Sequence, residues 1–277
     1  MRRIQSNSDT DTVTIALIEK NILRHTIQIF YKTSEGLRPY ASGVLVRLHD
    51  VSFILTASHV AEYLEGDETL YIRVDRQKYI NLLGEIKYTD ISKSKGVVDL
   101  AYIKIDAQLI EPLSKPFTFL NIEKFRKHNK TLDAANYCVL GFPTKNIRTD
   151  KGFMDTGASF YMTSAMNDNP YNYYKLSKED HIVVLMKGKG TDIQTGKKAD
   201  ISAEFYGISG GGLWLVLYIL DPISGKHTAT YHLVGIMTKF FKGKYYCMVA
   251  NKIHLCLEAI EAMEKLKFRE IPVRNII

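Results

Sequence analysis

Cysteine, long apolar runs and export signals are scarce in this sequence. The three cysteines are an odd number without a CxxC spacing, so they predict neither a disulfide framework nor a zinc site. No apolar run approaches the roughly 20 residues that cross a bilayer, and no apolar segment follows the two N-terminal arginines as a secretory signal requires. We therefore expect a cytoplasmic protein that uses no metal or other cofactor and does not act at a membrane.

The charge and size of the chain exclude two further classes of protein. Lys and Arg outnumber Asp and Glu by 37 to 30, a net charge of +7, but the lysines are scattered along the sequence. Scattered charge differs from the concentrated basic patch of a nucleic-acid interface, so no nucleic-acid partner is expected. With 277 residues, 45% of them hydrophobic, the chain can bury a large core and is not intrinsically disordered.

Short apolar segments separated by turn residues dominate the sequence and indicate β-strands. They fall into two series, one over residues 25–115 and one over residues 130–250. Residues 106–130, which include Pro112 and Pro116, are expected to connect the two halves. Many short strands without βαβ alternation predict an all-β chain built from two barrels or sandwiches.

The two ends of the chain have a different pattern from the strands. Residues 1–24 are an N-terminal extension, in which only residues 13–24 have the pattern of a short helix and the start is expected to be loose. Residues 251–266 repeat apolar side chains at steps of three and four, which predicts a C-terminal amphipathic α-helix.

Three segments place a reactive side chain beside an apolar strand: Thr56-Ala-Ser-His59, Asp99-Leu-Ala101 and Gly207-Ile-Ser-Gly-Gly211. Each has an ordinary structural explanation by itself, as a histidine at a helix start, an aspartate at a strand-entry turn, and a glycine-rich hairpin. In this order, however, they resemble the T-A-[AS]-H, D-[IL]-A and G-x-S-G-G motifs of the chymotrypsin/trypsin-like serine peptidases. The sequence is similar to the bacterial, non-zymogen type of that family.

The resemblance implies a fold and a chemistry. The fold would be two six-stranded antiparallel β-barrels with a C-terminal α-helix, and the activity that of a serine endopeptidase acting on a protein or peptide. Ser209 would be the nucleophile, His59 the general base and Asp99 the carboxylate that orients it. The main-chain N–H groups of Gly207 and Ser209 would form the oxyanion hole.

The resemblance also places the substrate-binding residues. Thr238 would carry a hydroxyl near the aspartate, and the main chain of Thr238, Lys239 and Phe240 would pair with an extended substrate. Ala203 occupies the place where trypsin itself has an acidic selector, so a preference for Lys or Arg at the cleaved bond is not expected. Ile208 replaces the aspartate that pairs with a new N-terminus in zymogen-derived members, so activity would be controlled otherwise, for example by a protein partner.

Two other interpretations stay open at the level of sequence. Gly207-Ile-Ser-Gly-Gly211 also fits the G-x-S-x-G nucleophile elbow of α/β-hydrolases, which requires a strand before the serine and a helix after it. The second alternative is a catalytically silent protease fold that serves as a binding or scaffold module, because a fold does not by itself determine a function.

Overall fold

A computed structural model describes residues 8–62, 69–75, 78–89, 98–128, 136–144, 147–150, 153–186, 189–191, 198–200, 205–220 and 222–268. Within these residues the strands are β1 (Thr26–Thr33), β2 (Gly36–Leu48), β3 (Val51–Thr56), β4 (Leu70–Arg73), β5 (Tyr79–Asn81), β6 (Gly84–Tyr88), β7 (Ala101–Ile105), β8 (Leu120–Asn121), β9 (Asn136–Gly141), β10 (Ile147–Asp150), β11 (Phe153–Thr156), β12 (Ser159–Thr163), β13 (His181–Leu185), β14 (Lys189–Thr191), β15 (Lys198–Asp200), β16 (Gly212–Leu220), β17 (His227–Lys242) and β18 (Tyr246–Lys252). The helices are α1 (Ser8–Lys20), α2 (Ser58–Ala61), α3 (Ala107–Ser114), α4 (Asp168–Tyr174) and α5 (Ile253–Glu264).

The first sheet curls back on itself because its two edge strands are consecutive in the chain. Its order is β5-β4-β1-β2-β3-β7-β6, with antiparallel neighbours, and β8 adds to β2 in parallel. Only Leu82 and Leu83 connect β5 to β6, so the chain passes directly from one edge of the sheet to the other. Buried aliphatic side chains, among them Ile29, Leu45 and Ile103, fill the space that the sheet encloses.

The second sheet is closed by hydrogen bonds. Its order is β12-β9-β16-β17-β18-β13, and all of its named strand pairs are antiparallel. The edges meet where Ala165 forms a bridge with Val184. On either side of that bridge, Leu185 N donates to Ser164 O and Met166 N donates to Val183 O, both at 2.9 Å. The protein is therefore an all-β, two-barrel structure with one C-terminal helix, as the sequence predicts. Its antiparallel sheets exclude the α/β-hydrolase alternative for the described residues.

The first barrel contains two more strands than predicted. One predicted strand, residues 78–89, bends at Leu82 and Leu83 and becomes β5 and β6, which belong to opposite edges. The two-residue strand β8 accounts for the other. It lies in the segment that was expected to be a plain connection, and α3 lies there too. The signals for α3 were Asp106, whose carboxylate caps the helix, and the buried pair Leu109 and Leu113.

The N-terminal helix extends further than its sequence pattern predicts. It begins at Ser8 and ends at Lys20, and a 3₁₀ turn follows at Ile22–His25. Ile18 and Ile22 are fully buried in a core that also contains side chains of both barrels, including the fully buried Trp214. Short helices gain most of their stability from such packing and little from local propensity, so the expectation of a loose start was wrong from Ser8 onward.

Helix α5 packs against both barrels. It follows β18 of the second barrel and buries Ile253, Leu257 and Ile260 in the shared core. At its last turn, Glu264 accepts hydrogen bonds from Tyr102 Oη at 2.9 Å and from Lys104 Nζ at 2.7 Å, both on β7 of the first barrel. No helix among the described residues is both long enough and apolar enough to cross a membrane.

We expect Glu264→Gln to destabilise the protein by about 2 kcal/mol at pH 7, because hydrogen bonds to a charged group are lost. Burial raises the pKa of Glu264, but the hydrogen bonds from Lys104 and Tyr102 outweigh it and leave that pKa lowered. A carboxylate with a lowered folded pKa stabilises the fold above its unfolded value, about 4.3, and this contribution is lost as the pH falls through the folded value.

Urea unfolding of the wild type and Glu264→Gln at pH 7 and in acid measures this effect. The difference between the two proteins should shrink on acidification. Glu258→Gln is the matched control, since Glu258 is exposed on the same helix. A difference that stays constant or grows in acid would contradict the assignment of these hydrogen bonds to an ionised Glu264.

Candidate active site

His59 and Asp99 are in direct contact at one end of the first barrel. His59 lies in the single turn of α2, shortly after β3, and its Nδ1 is 2.9 Å from Asp99 Oδ2 and 3.2 Å from Oδ1. The main-chain N–H of His59 also donates to Asp99 Oδ1, at 3.2 Å. Because a carboxylate only accepts hydrogen bonds, Nδ1 carries the proton and Nε2 of the neutral ring is left as an acceptor.

Asp99 is buried, whereas the ring of His59 reaches the surface. Asp99 is 3% exposed and lies just before β7, where its N–H donates to Asn251 Oδ1 of the second barrel at 3.1 Å. The side chain of His59 is 39% exposed, so Nε2 is accessible to a ligand. A buried carboxylate behind an accessible imidazole fixes the orientation and tautomer of the ring, as a general base requires.

The segment before Ser209 forms a turn that only glycine can complete. Ile208 N donates to Phe205 O at 3.2 Å, and Gly207, the third residue of this turn, has φ +92. A turn with this hydrogen bond and a positive φ at its third residue is of type II. A Cβ on Gly207 would lie 2.5 Å from Phe142 O, so the conformation and the close contact both require glycine.

Two main-chain N–H groups of this loop have no partner among the described residues. Tyr206 O accepts from Thr144 N at 2.7 Å. In a trans peptide the C=O and N–H point in opposite directions, so the N–H of Gly207 is directed away from Thr144. The peptide that carries the N–H of Ser209 is held in the same way, since its carbonyl accepts from Gly211 N at 2.8 Å. Neither N–H has a hydrogen-bond partner among the described residues, and both can donate to a ligand.

His59, Gly207 and Ser209 line one cavity of about 760 Å³. Its other described walls are mostly aromatic, and Lys242 is the only lysine or arginine among them. No carboxylate lines the described part of the cavity. Among the described residues, His59 and Ser209 form no hydrogen bond with each other. Such contacts are often long before a substrate is bound and tighten in the complex.

The residues predicted to bind the substrate do not all lie at the cavity. Phe240 lines the cavity. Lys239 and Phe240 pair with Val249 and Met248 of β18, in the part of β17 that follows its pairing with β16. Thr238 lies at a bulge, is 5% exposed, and donates its hydroxyl to Val249 O at 3.4 Å. Among the described residues, no hydrogen bond joins Thr238 to Asp99. Ala203 lies outside the described residues.

Two residues that shape the site are not predicted from the sequence. Asn251 accepts from the main chain of Asp99, and Thr144 binds the carbonyl that orients the N–H of Gly207. Neither belongs to a motif: Asn251 is one polar residue near the end of β18, and Thr144 lies shortly after β9. No group of three His, Cys, Asp or Glu side chains suitable for a metal occurs among the described residues, so none is assigned to one.

A solved protease structure shares this architecture. The serine endoprotease from Yersinia pestis matches with a TM-score of 0.50 and 14% identity, over 94% of this chain and 68% of that one. This chain has a chymotrypsin-like protease fold. The protease Anisep from Arthrobacter nicotinovorans is also similar, with a TM-score of 0.49 and 13% identity over 83% of this chain and 90% of that one. No protein-family model and no curated protein sequence matches the chain.

Proposed function

We propose that this protein is a trypsin-like serine endopeptidase that cleaves peptide bonds through an acyl-enzyme. Ser209 Oγ attacks the carbonyl carbon while His59 Nε2 takes the hydroxyl proton, and Asp99 holds the imidazolium that forms. His59 then gives this proton to the leaving amine as the peptide C–N bond breaks. Water hydrolyses the resulting ester by the same steps in reverse order, which restores the free serine. The contact between His59 and Asp99 beside the cavity that Ser209 lines is the observation that carries this proposal.

The two unpartnered N–H groups supply the second part of the chemistry. The tetrahedral intermediate carries a negative oxygen, which the N–H groups of Gly207 and Ser209 would bind. Their peptide planes are held by hydrogen bonds on the carbonyl side before any substrate arrives. Preorganised donors of this kind each contribute on the order of 10²- to 10³-fold to the rate.

The position of Phe240 on β17 supports a protein or peptide substrate. Phe240 lines the cavity beside Ser209, and an extended peptide that pairs with the main chain there would add a strand to the sheet. This mode of binding uses main-chain hydrogen bonds and therefore suits a polypeptide, with side-chain preference set by the cavity walls. Thr238, being buried, would contribute through its main chain alone.

The packing around Ile208 supports control without zymogen cleavage. Ile208 is fully buried and packs in the core of the second barrel. A zymogen-derived enzyme would need a charged side chain at this position to pair with a new N-terminus. We propose that narrow specificity or a protein partner restrains the enzyme instead.

The three cysteines, Cys138, Cys247 and Cys256, are free and buried, which favours a reducing location such as the cytoplasm.

Labelling with a fluorophosphonate probe tests the proposed function. We expect one adduct on the wild type, by intact mass, and none on Ser209→Ala, because only an activated serine attacks the probe. Ser224→Ala, in an exposed turn, is the matched control and should label like the wild type. No adduct on a folded wild type would reject the peptidase proposal and leave a binding or scaffold module.

A further inference from the structure

Ser42, on β2 of the first barrel, contacts the loop that carries Gly207 and Ser209 in the second barrel, through both its side chain and its main chain. It is fully buried. Its Oγ donates to Gly207 O at 2.7 Å and accepts from Phe142 N at 2.9 Å, and its N–H donates to Ser209 O at 2.9 Å. We infer that Ser42 is the positioning residue that holds the oxyanion-binding turn in its donating conformation, an inference that rests on the proposed function.

The hydroxyl of Ser42 holds the one peptide that links the two oxyanion donors. The peptide carrying the N–H of Gly207 is held at its carbonyl by Thr144, and the peptide carrying the N–H of Ser209 is held by Gly211. Between them lies the peptide from residue 207 to residue 208. Its N–H is bound within the turn, and its carbonyl is bound by Ser42 Oγ. The direction of both donors therefore depends on this middle peptide.

Glycines around Ser42 allow the contact. A Cβ on Gly210 would lie 2.0 Å from Ser42 O and 2.1 Å from Thr56 Oγ1, and a Cβ on Gly141 would lie 3.0 Å from Ser42 Oγ. The hydroxyl of Thr56 donates to Ser42 O at 2.9 Å, so the carbonyl of Ser42 is fixed as well. Ser42 is thus held on its own barrel while it holds the loop of the other.

Removal of the hydroxyl affects the transition state more than the binding of a substrate. In Ser42→Ala, Gly207 O and Phe142 N lose their buried partner, and the middle peptide is held through its N–H alone. A turn that changes from type II to type I reverses the peptide between its second and third residues, and here that peptide carries the N–H of Gly207. The side chains that line the cavity are unchanged, so binding is retained.

Fluorophosphonate inactivation kinetics test this inference on the full chain. For Ser42→Ala we expect the maximal inactivation rate to fall about 10- to 100-fold, as for a weakened oxyanion donor, while the half-saturating probe concentration stays near that of the wild type. Ser42→Thr keeps the hydroxyl and should recover most of the lost rate. Should Ser42→Ala fail to fold, Ser42→Cys offers the same comparison, because a thiol fills the site but is a weak donor and acceptor.

The matched control is Ser52→Ala, since Ser52 is also buried, lies on the neighbouring strand β3, and contacts Arg47 away from the cavity. It should react like the wild type. A folded Ser42→Ala that reacts at the wild-type rate overturns this inference alone. The same holds if Ser52→Ala slows the reaction equally, since the effect would then be structural. A wild type that does not react at all overturns the proposed function and this inference together.

Discussion

Asp99→Asn should lower kcat for peptide or ester cleavage by roughly 10⁴-fold while the protein stays folded. The amide oxygen of asparagine can still accept from His59 N, which Asp99 Oδ1 now does at 3.2 Å. The amide NH₂ would then face Nδ1, where Asp99 Oδ2 now lies 2.9 Å away. Because an NH₂ group donates, Nδ1 would have to accept and Nε2 would carry the proton. Nε2 could then no longer take the proton of Ser209.

Turnover of an activated ester, measured beside thermal unfolding, checks this prediction. Asp168→Asn is the matched control, since Asp168 is exposed on α4 and pairs with Lys178 at the surface. We expect the control to keep wild-type turnover, and both variants to unfold close to the wild-type temperature. Near-native turnover of Asp99→Asn would show that the contact between His59 and Asp99 is structural and not catalytic.

The parts of the site that the sequence predicts are those that lie within one strand end or one turn. The histidine and the aspartate each follow or begin an apolar strand, and the glycines around Ser209 stand where a positive φ or a close contact is needed. A short motif records such requirements because they act on neighbouring residues. The same is true of the two barrels and the terminal helix, which follow from the apolar periodicity.

The parts that the sequence does not predict depend on contacts between distant segments. Ser42 is 165 residues from its hydrogen-bond partner Gly207, and Asn251 is 152 residues from Asp99. In the sequence each is one polar residue in an apolar strand, which has many ordinary explanations. The bulge at Thr238 is a similar case, because it arises from pairing with β18 and cannot be seen in the local pattern. Topology, not local propensity, determines these features.

Gly210→Ala is expected to have the second of the two largest effects, with loss of most fluorophosphonate reactivity and a marked loss of stability. Gly210 has φ +82, a conformation that costs other residues about 1 kcal/mol or more. The added Cβ would also lie 2.0 Å from Ser42 O and 2.1 Å from Thr56 Oγ1. Neither atom can yield without breaking the contacts that hold the loop. The loop must therefore move away from the first barrel, and Ser209 moves with it.

Gly225→Ala separates the cost of the backbone from the cost of the collision. Gly225 also has a positive φ, +65, but a Cβ there would meet nothing within 4 Å. It lies in the exposed turn between β16 and β17, so its substitution should cost only the conformational strain and leave reactivity intact. Chemical unfolding and probe kinetics on both variants measure the two costs. If Gly210→Ala lost no more stability or reactivity than Gly225→Ala, the close packing of the two barrels at Ser42 would not be what holds the nucleophile in place.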